Sequence, residues 1–433
     1  MIYYRKSDTF LTEQSITAFM KGLMYMKVLW LCGVVLPHLC DEFGFKKTVI
    51  NGWTNSMLEY IHNNSDIKMG ICCPIRNIER MRNGTLDEEQ YYSFQMVSEE
   101  TINHNQDKRF IEVIKDFAPN VIHIWGTEYM HTYNMLCAAE EIGILNKTVV
   151  SIQGLISSVV KHYCDGIERD KSETFEKIQE LSLKEKIRSE YEIKAIKKCI
   201  NISGRTEWDR ACIAQINPNA RYWHIGENLR NIFYKEMGGW AVQKCNRHTL
   251  FLSHVYCPIK GLHYFLEAFQ YVLQKYPDAI VRIAGNNVIE SDDAYGQYIK
   301  EMVSEFEIEK NILFLGKLSE EQMCQEYLSA HVFVCPSTVE NSSNSVCEAM
   351  LIGVPTIGAF VGGIPSLITH KQDGFLYQCN EPEMLAYYIG KIFDDDVLAT
   401  EISDKAVLSI SEKVDRQRNG KALIDLYHKI ASE

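Results

Sequence analysis

The chain has 433 residues, of which 46% are hydrophobic and 24% charged, with 25 Gly and 10 Pro. This composition excludes collagen-like, low-complexity and mainly disordered proteins, and the length suits two large domains. Because 45 basic and 57 acidic residues leave a net charge of −12, the chain lacks the positive field that attracts nucleic acid, and we expect no nucleic-acid partner.

The fourteen cysteines are scattered, and no C-x-x-C pair occurs. They indicate reduced core thiols rather than a disulfide framework or a metal site. The longest apolar run, 28–40, is broken by Gly33 and Pro37 and is shorter than the roughly 20 residues that a membrane span needs. We therefore expect a cytoplasmic protein, with at most peripheral contact with the inner face of a membrane.

Residues 1–25 carry mixed charges and lack the basic-then-apolar order of a signal peptide. Because Met26 leads directly into the first apolar run, we predict that 1–25 is an N-terminal extension outside the fold. A short docked helix is the alternative, since the apolar residues of this segment show some helical spacing.

Further along the chain, short apolar runs alternate with longer helical segments, a pattern typical of βαβ units on a parallel sheet. In the first half, strands are predicted at 27–32, 67–72, 121–124, 148–152, 200–203 and 221–224. In the second half, they are predicted at 249–253, 280–284, 312–315, 332–335, 355–357 and 375–377. The pattern predicts an α/β protein with two doubly wound domains, 26–235 and 236–405, followed by a C-terminal helix in 406–433 that packs back on the first domain.

Two helical segments carry clear local signals. Residues 167–198 combine balanced charge with regularly spaced apolar residues, which favours one or two amphipathic helices with a solvated face over a membrane-surface helix. Ser319 and Gln322 have the spacing of a capping box and predict a helix over 320–330.

The segment 335–357 is the most informative, because it reads as a buried strand, a polar loop, a short helix and a second strand. The helix is predicted to begin near Asn344 and to end at Gly353, where a left-handed residue is needed. The opening amides of the helix, preceded by Ser342 and Ser343, form a candidate phosphate site, since free N–H groups and the positive end of the dipole coincide.

Glu340 and Glu348 flank this phosphate site. Eight helical steps would separate their Cα atoms by about 12 Å, which is wider than the roughly 5 to 9.5 Å between the carboxyls of glycosidases. The spacing therefore favours recognition of sugar hydroxyls, which carboxylates accept well. The alternative is that one of them caps the helix and the other lies on the surface.

Lys260 lies directly before Gly261 and an apolar-striped helix. A lysine at a helix N-terminus is electrostatically unfavourable unless an anion is bound there. Loops that follow the strands of an open parallel sheet are also where ligands collect. Lys260 is therefore a second candidate phosphate ligand.

The order and spacing of these motifs resemble the nucleotide-sugar-binding half of the retaining glycosyltransferases of family 4, which have the GT-B fold. The motifs are PIKG at 258–261, VRIAG at 281–285, ILFLG at 312–316, Glu340 and Glu348 with the following AM and GVP, VGGIP at 361–365 and DG at 373–374. The resemblance implies two Rossmann-like domains that face each other across a cleft. It implies transfer of a sugar from a nucleotide-sugar donor to a glycan or lipid-linked acceptor, in cell-envelope or exopolysaccharide synthesis, without a cofactor or a metal.

The resemblance also assigns roles to residues of the second half. Lys260 would hold the donor diphosphate beside Gly261, Glu340 the transferred sugar and Glu348 the ribose. The remaining donor contacts would come from Ser342, Ser343 and Asn344 at the phosphate and from Gly316, Lys317 and Leu318 near the base. His254 stands where the family usually has Arg, and a neutral histidine offers one hydrogen bond instead of a bidentate fork. Either diphosphate binding is weaker here, or another cation supplements His254, with Arg205 and Arg230 as the candidates.

The first half resembles the family only loosely. Gly52 would let the backbone approach the diphosphate. Gln153 stands where the family often has a histidine near the donor sugar, and would contact that sugar without acting as a base. The predicted acceptor contacts, His123, Thr127 and Glu128, follow a strand, although ordinary loop polarity is the alternative.

Three rival functions remain at this point. A sugar-nucleotide epimerase or a phosphorylase on the same scaffold would use a similar donor pocket, but the phosphorylase would want a pyridoxal lysine motif. A catalytically inactive donor-binding subunit is the third, and the presence of Glu340 and Lys260 counts against it.

Overall fold

A computed structural model of the chain describes residues 25–45, 52–75, 82–96, 105–167 and 172–433. The predicted extension therefore lies outside the described residues, except for Tyr25. The described residues form two α/β domains, each built on one mainly parallel sheet. The predicted fold class is thus confirmed.

The first domain contains an eight-stranded sheet. Its strands are β1 (Lys27–Leu31), β2 (Lys68–Ile75), β3 (Asn83–Leu86), β4 (Glu89–Gln95), β5 (Val121–Trp125), β6 (Thr148–Ser151), β7 (Asn201–Gly204) and β8 (Arg221–His224). Its helices are α1 (Cys40–Phe43), α2 (Gly52–Asn64), α3 (Asn105–Phe117), α4 (Met130–Glu141), α5 (Ile156–His162), α6 (Ser172–Lys198) and α7 (Glu207–Ile216), and α8 (Asn231–Lys235) leads into the second domain.

The second domain contains a six-stranded sheet. Its strands are β9 (Thr249–Ser253), β10 (Ile280–Ala284), β11 (Ile312–Gly316), β12 (Val332–Cys335), β13 (Thr356–Ala359) and β14 (Phe375–Tyr377). Its helices are α9 (Leu262–Lys275), α10 (Ala294–Glu305), α11 (Glu320–Ser329), α12 (Asn344–Ile352), α13 (Pro382–Asp394) and α14 (Asp396–Lys413), after which α15 (Arg416–Ser432) returns to the first domain.

The strand orders are β3-β4-β2-β1-β5-β6-β7-β8 and β11-β10-β9-β12-β13-β14. Each strand predicted from the sequence is present, with ends that move by a few residues. The β3–β4 hairpin was not predicted; its strands pair antiparallel. Asp87 and Glu88 both have positive φ in its turn, which such two-residue turns require, but they lack the glycine that usually signals them.

Both faces of the first sheet are buried. Leu29 and Leu31 join the core on one face, while Val28 and Trp30 join the core on the other, as the alternation of a strand dictates. Helix α15 closes the second of these faces, because Leu423, Tyr427 and neighbouring apolar residues pack in the same cluster as Trp30. The end of the chain is thus part of the first domain's core.

The helix signals in the sequence are confirmed. Residues 172–198 form one continuous helix. Ser319 and Gln322 make both bonds of the capping box. Helix α12 begins at Asn344 and ends at Gly353, which has φ +95°. In the part of the chain that the structure describes, every helix is too short or too polar to cross a lipid bilayer.

Candidate functional site

A cavity of about 280 Å³ lies where the carboxyl ends of β9 and β12 face the first domain. The first domain contributes Gln153 and Arg205 to its wall. The second domain contributes the residues that the sequence singled out, namely His254, Lys260, Glu340, Ser342, Ser343 and Asn344. The structure therefore brings most of the predicted donor residues together in one place.

Lys260 and Glu340 form an ion pair in this cavity, with 2.7 Å between Nζ and Oε2. Gly261 has φ +67°, and a Cβ there would lie 1.9 Å from the carbonyl oxygen of Pro336, so the turn that presents Lys260 requires glycine. Burial alone would lower the pKa of Lys260, but the Glu340 carboxylate raises this pKa above its usual value. Lys260 is therefore a cation in the cavity.

The N-terminus of α12 forms another part of the wall. Ser343 is its N-cap, and its side chain accepts from the backbone N–H of Val346. The first N–H groups of a helix have no intrahelical partner, and the helix dipole makes this end positive. An anion in the cavity would thus meet both Lys260 and a helix N-terminus, which is an arrangement suited to a diphosphate.

Glu348 lies one turn into α12, is 5% exposed and is not among the residues that line the cavity. Its Oε1 accepts from Arg230 at 2.7 Å, and its Oε2 accepts from Tyr327 at 3.2 Å. Burial raises the pKa of Glu348, and Arg230 counteracts this effect. Arg230, one of the two arginines considered for the diphosphate, is therefore the partner of Glu348.

His254 and Arg205 both line the cavity. Burial lowers the pKa of His254, and the nearby cations Lys260 and Arg230 lower it further, so the imidazole is neutral. The Arg205 guanidinium pairs with Glu227 and donates to the backbone oxygens of Ile152 and Gln153. Of the two candidate arginines, Arg205 is thus the one placed at the cavity.

The acceptor residues predicted in the first domain do not line this cavity. His123 is completely buried, with Nδ1 2.5 Å from the Tyr427 hydroxyl and Nε2 2.6 Å from Ser151 Oγ. Thr127 is 1% exposed and donates to Glu192 at 2.9 Å. Both side chains are therefore satisfied inside the first domain, and we correct their assignment as acceptor contacts.

Glu128 is partly exposed, and burial raises the pKa of its carboxyl to about 7. It also lies outside the described cavity, and although the residue is partly exposed, its Oε2 is buried without a hydrogen-bond partner. Of the three predicted acceptor contacts, only Glu128 remains a candidate.

The residues predicted to lie near the base and at the glycine turn are Gly316, Lys317, Leu318 and Gly52. Gly316 ends β11 with φ +70°, and Lys317 and Leu318 follow it before α11. Gly52 is the first residue of α2, and the loop 46–51 before it lies outside the described residues. Gly316, Lys317 and Leu318 do not line the cavity around Lys260.

Sequence reasoning missed Glu227, Tyr327 and Asn341. Glu227 and Tyr327 belong to no recognisable motif. Nothing in the sequence indicates that Glu227 pairs with Arg205 or that Tyr327 bonds to Glu348. Asn341 could have been noticed because it directly follows Glu340. Among the residues that the structure describes, no three His, Cys, Asp or Glu side chains are grouped so as to hold a metal ion.

Comparison with known proteins finds a family match in the second domain. Residues 244–407 match the family Glycosyl transferases group 1. An uncharacterized glycosyltransferase of Methanocaldococcus jannaschii is 25% identical over 275 residues, which are 62% of this chain and 67% of that protein. Other curated relatives are matched over 29% to 44% of their own length.

Solved structures match nearly the whole chain. Sucrose-phosphate synthase from Thermosynechococcus elongatus is 15% identical with a TM-score of 0.69, and the match covers 94% of this chain and 99% of that one. Anabaena HepE, solved with UDP and glucose, is 14% identical with a TM-score of 0.64, and the match covers 93% and 99%. The chain therefore has the GT-B fold, and residues 244–407 are similar to the family Glycosyl transferases group 1.

Proposed function

We propose that the protein is a retaining glycosyltransferase that moves a sugar from a nucleotide-diphosphate donor to a glycan or lipid-linked acceptor. The observation that carries the proposal is the Lys260–Glu340 ion pair, 2.7 Å long, in a cavity that also contains the N-terminus of α12. A cation and a helix N-terminus suit a diphosphate, and a carboxylate beside them suits the hydroxyls of the attached sugar.

Lys260 and the first amides of α12 would stabilise the charge that develops on the departing diphosphate. When the diphosphate binds, it competes with Glu340 for Lys260. Glu340 is then free to accept hydrogen bonds from sugar hydroxyls, while the second cation, Arg205, closes the cavity from the first domain. Gln153, also on the wall, would contact the same sugar through its amide.

Retention follows if the acceptor hydroxyl attacks on the face from which the diphosphate leaves. The bond between the anomeric carbon and the phosphate oxygen breaks, the bond to the acceptor oxygen forms, and the departing phosphate takes the proton. Among the described residues that line the cavity, Glu340 is the single carboxylate, and it is paired with Lys260. This arrangement favours proton transfer to the phosphate over a second protein carboxylate acting as base.

The donor and acceptor are narrower parts of the same proposal. UDP is the first nucleotide to test, because the structure of Anabaena HepE contains it. Gly316, Lys317 and Leu318 would lie near the base, Glu348 and Arg230 near the ribose, and Gly52 and His254 near the diphosphate. The acceptor would come from cell-envelope or exopolysaccharide synthesis, with the protein in the cytoplasm or at the inner face of the membrane.

A thermal-shift screen with UDP-, GDP-, dTDP- and CDP-sugars tests the donor site. A ligand present at 100 times its dissociation constant stabilises the folded protein by about 2.7 kcal/mol. Transfer from the stabilising donor to glycan acceptors is then followed by mass spectrometry, and NMR of the product reports whether the anomeric configuration of the donor is kept.

Two of the rival functions, the donor-binding subunit and the epimerase, give their own results in these experiments. Stabilisation without transfer indicates a donor-binding subunit, an altered sugar on the nucleotide indicates an epimerase, and an inverted product overturns retention. Absence of stabilisation by every nucleotide sugar contradicts the proposal as a whole.

A further inference from the structure

Asn341, the residue after Glu340, makes hydrogen bonds across the cleft to the first domain. The Thr206 hydroxyl donates to Asn341 Oδ1 at 2.7 Å, and Asn341 Nδ2 donates to the backbone oxygen of Gln153 at 3.4 Å. Asn341 is 3% exposed and Thr206 is 2% exposed. This buried contact links the loop that carries Glu340 to two residues at the carboxyl ends of first-domain strands.

The chemistry of the partners fixes the direction of both bonds. The backbone oxygen of Gln153 can only accept, so the amide nitrogen of Asn341 must face it, and the amide oxygen then faces Thr206. Thr206 is also the N-cap of α7, where its Oγ1 accepts from the backbone N–H of Asp209 at 3.1 Å. Its own proton is therefore free to be donated to Asn341.

A pair of glycines holds the same loop from the other side. The Gly363 N–H donates to the backbone oxygen of Glu340 at 2.9 Å. A Cβ at Gly362, which has φ +50°, would lie 1.9 Å from that oxygen, and a Cβ at Gly363 would lie 2.6 Å from Thr206 Cγ2. The Glu340–Asn341 peptide is thus held between the glycine pair of the second domain and Thr206 of the first.

The Gln153 backbone oxygen connects this contact to the cavity wall. It accepts from Asn341 and also from Arg205 Nη2 at 3.2 Å. The two first-domain residues that line the cavity, Gln153 and Arg205, are therefore tied to the residue next to Glu340. Any opening of the cleft must break the Asn341 bonds before it separates Glu340 from these two residues.

We propose that Asn341 is a positioning residue. Its bonds to Thr206 and Gln153 hold Glu340 where it can contact the donor sugar, and they form only when the two domains are closed. The proposal rests on the proposed transferase function, because it assigns Glu340 to the sugar. Loss of the contact should therefore slow transfer while leaving the diphosphate contacts of Lys260 and α12 in place.

The test compares Asn341→Ala with the wild-type chain, using the nucleotide sugar found in the screen for kinetics and UDP as the probe for binding. Because misplacement of a catalytic group by about 1 Å can cost roughly 100-fold, we expect kcat to fall about 10- to 100-fold. The dissociation constant of UDP, measured by calorimetry, should stay within about threefold, since the phosphate ligands are unchanged.

Matched variants separate positioning from general damage. Thr206→Ser keeps the hydroxyl and should retain the wild-type kcat, whereas Thr206→Ala should lower kcat as much as Asn341→Ala. Because the two residues form one contact, the double variant Asn341→Ala/Thr206→Ala should be no slower than either single variant. Thr206→Ala also removes the N-cap of α7. Asp395→Ala, which removes the N-cap of α14, is the control for this loss and should leave kcat unchanged.

Asn341→Asp provides a finer comparison, since it still accepts from Thr206 but sets a carboxylate oxygen against the Gln153 carbonyl oxygen; its kcat should fall at least as far as that of Asn341→Ala. An unchanged kcat in Asn341→Ala, additive losses in the double variant, or an equal loss in Asp395→Ala would overturn the proposal.

Hydrogen exchange tests the positioning role of Asn341 separately from the proposed transferase function. The Gly363 amide, which donates to Glu340, should exchange faster in Asn341→Ala than in the wild-type chain. If the wild-type chain transfers no sugar, the proposed function fails, and with it the role of Asn341 in transfer. Unchanged Gly363 exchange in Asn341→Ala would overturn the claim that Asn341 holds the loop.

Discussion

Both domains place polar side chains in or just beyond their parallel strands, with opposite results. In the second domain, Lys260 and Glu340 are 25% and 18% exposed and line a cavity. In the first domain, His123 at β5 and Thr127 just beyond it are almost completely buried and bonded to neighbouring side chains. Polar residues near parallel strands therefore form a candidate binding site in one domain and part of the core in the other.

The difference comes from what faces these side chains. The second domain has Gly261 and Gly362 beside the cavity, where backbone approaches backbone and no side chain fills the space. In the first domain, Tyr427 of α15 reaches His123, and Glu192 of α6 reaches Thr127. Polarity after a strand thus indicates a site only where no distant segment buries the polar side chains.

The largest expected effect concerns the cavity of the second domain. Lys260→Ala and Glu340→Gln should each lower kcat/KM by about 100- to 1,000-fold, because each removes a charge aimed at the reacting group. Lys260→Ala should also weaken binding of UDP, whereas Glu340→Gln should leave it within a few-fold, as measured by calorimetry.

Lys275 forms a 2.5 Å pair with Asp394 on the surface, so Lys275→Ala is the matched control and should change neither quantity. Equal weakening of UDP binding in Lys260→Ala and Glu340→Gln would contradict the separate assignments to diphosphate and sugar.

Glu348 combines features of both regions, because it belongs to the donor motif but is buried in an ion pair. Glu348→Ala leaves the Arg230 guanidinium without its 2.7 Å partner, and breaking a buried pair costs about 3 kcal/mol or more. We expect a lower free energy of unfolding in urea together with weaker UDP binding. Weaker UDP binding with unchanged stability would show that Arg230 finds another carboxylate, such as Glu320.

The buried network of the first domain should affect stability and not transfer. Tyr427→Phe removes the hydroxyl that accepts from Trp30 Nε1 at 2.8 Å and faces His123. Unsatisfied buried polar groups cost about 1 to 3 kcal/mol, so we expect a loss of that size in chemical unfolding, with kcat retained at low temperature. Tyr271→Phe, which loses an exposed hydroxyl bonded to Glu383, is the control. A large fall in kcat for Tyr427→Phe would show that His123 influences the site.

Buried histidines make stability depend on pH. Burial lowers the pKa of His123 and His131 to about 3 and that of His263 and His331 to about 4. The unfolded chain therefore binds more protons between pH 6.5 and these values, so stability is present above pH 6.5 and is lost as the pH falls. Each group contributes roughly 1 kcal/mol per pH unit in this range.

Urea unfolding at pH 7 and pH 5 measures the pH effect. His123→Gln should make the difference between the two pH values smaller. Equal stability at both pH values would show that these histidines are protonated in the folded protein.

Removal of divalent cations should have the smallest effect. Lys260 and the N-terminus of α12 supply the positive charge in the cavity, so transfer should persist in EDTA after prior dialysis against a chelator. A loss of activity that magnesium restores would show that the diphosphate needs a metal as well.

The sequence predicted the second domain better than the first because its signals are local. The capping box of Ser319, the start of α12 and the left-handed Gly353 each depend on a few adjacent residues, and the structure contains all of them. The clustering of Lys260 with Glu340 follows from the parallel sheet, which brings the ends of β9 and β12 together.

The contacts that could not be predicted from the sequence join residues that are far apart in the chain. The burial of His123 is determined by Tyr427, which lies 304 positions away. The Arg230–Glu348 and Thr206–Asn341 contacts join residues 118 and 135 positions apart. Periodicity and motif spacing contain no information on such pairs, because their geometry arises only after both domains have folded.

Helix α15 has a consequence for the order in which the chain completes its folding during synthesis. Trp30 and Tyr427, which share a hydrogen bond and a core cluster, are 397 positions apart. Residues 416–432 leave the ribosome after the whole second domain, including α14, which packs on α12. Since domains generally fold as they emerge, part of one apolar face of the first sheet stays uncovered while the second domain is made. The domain that is synthesised first is completed last.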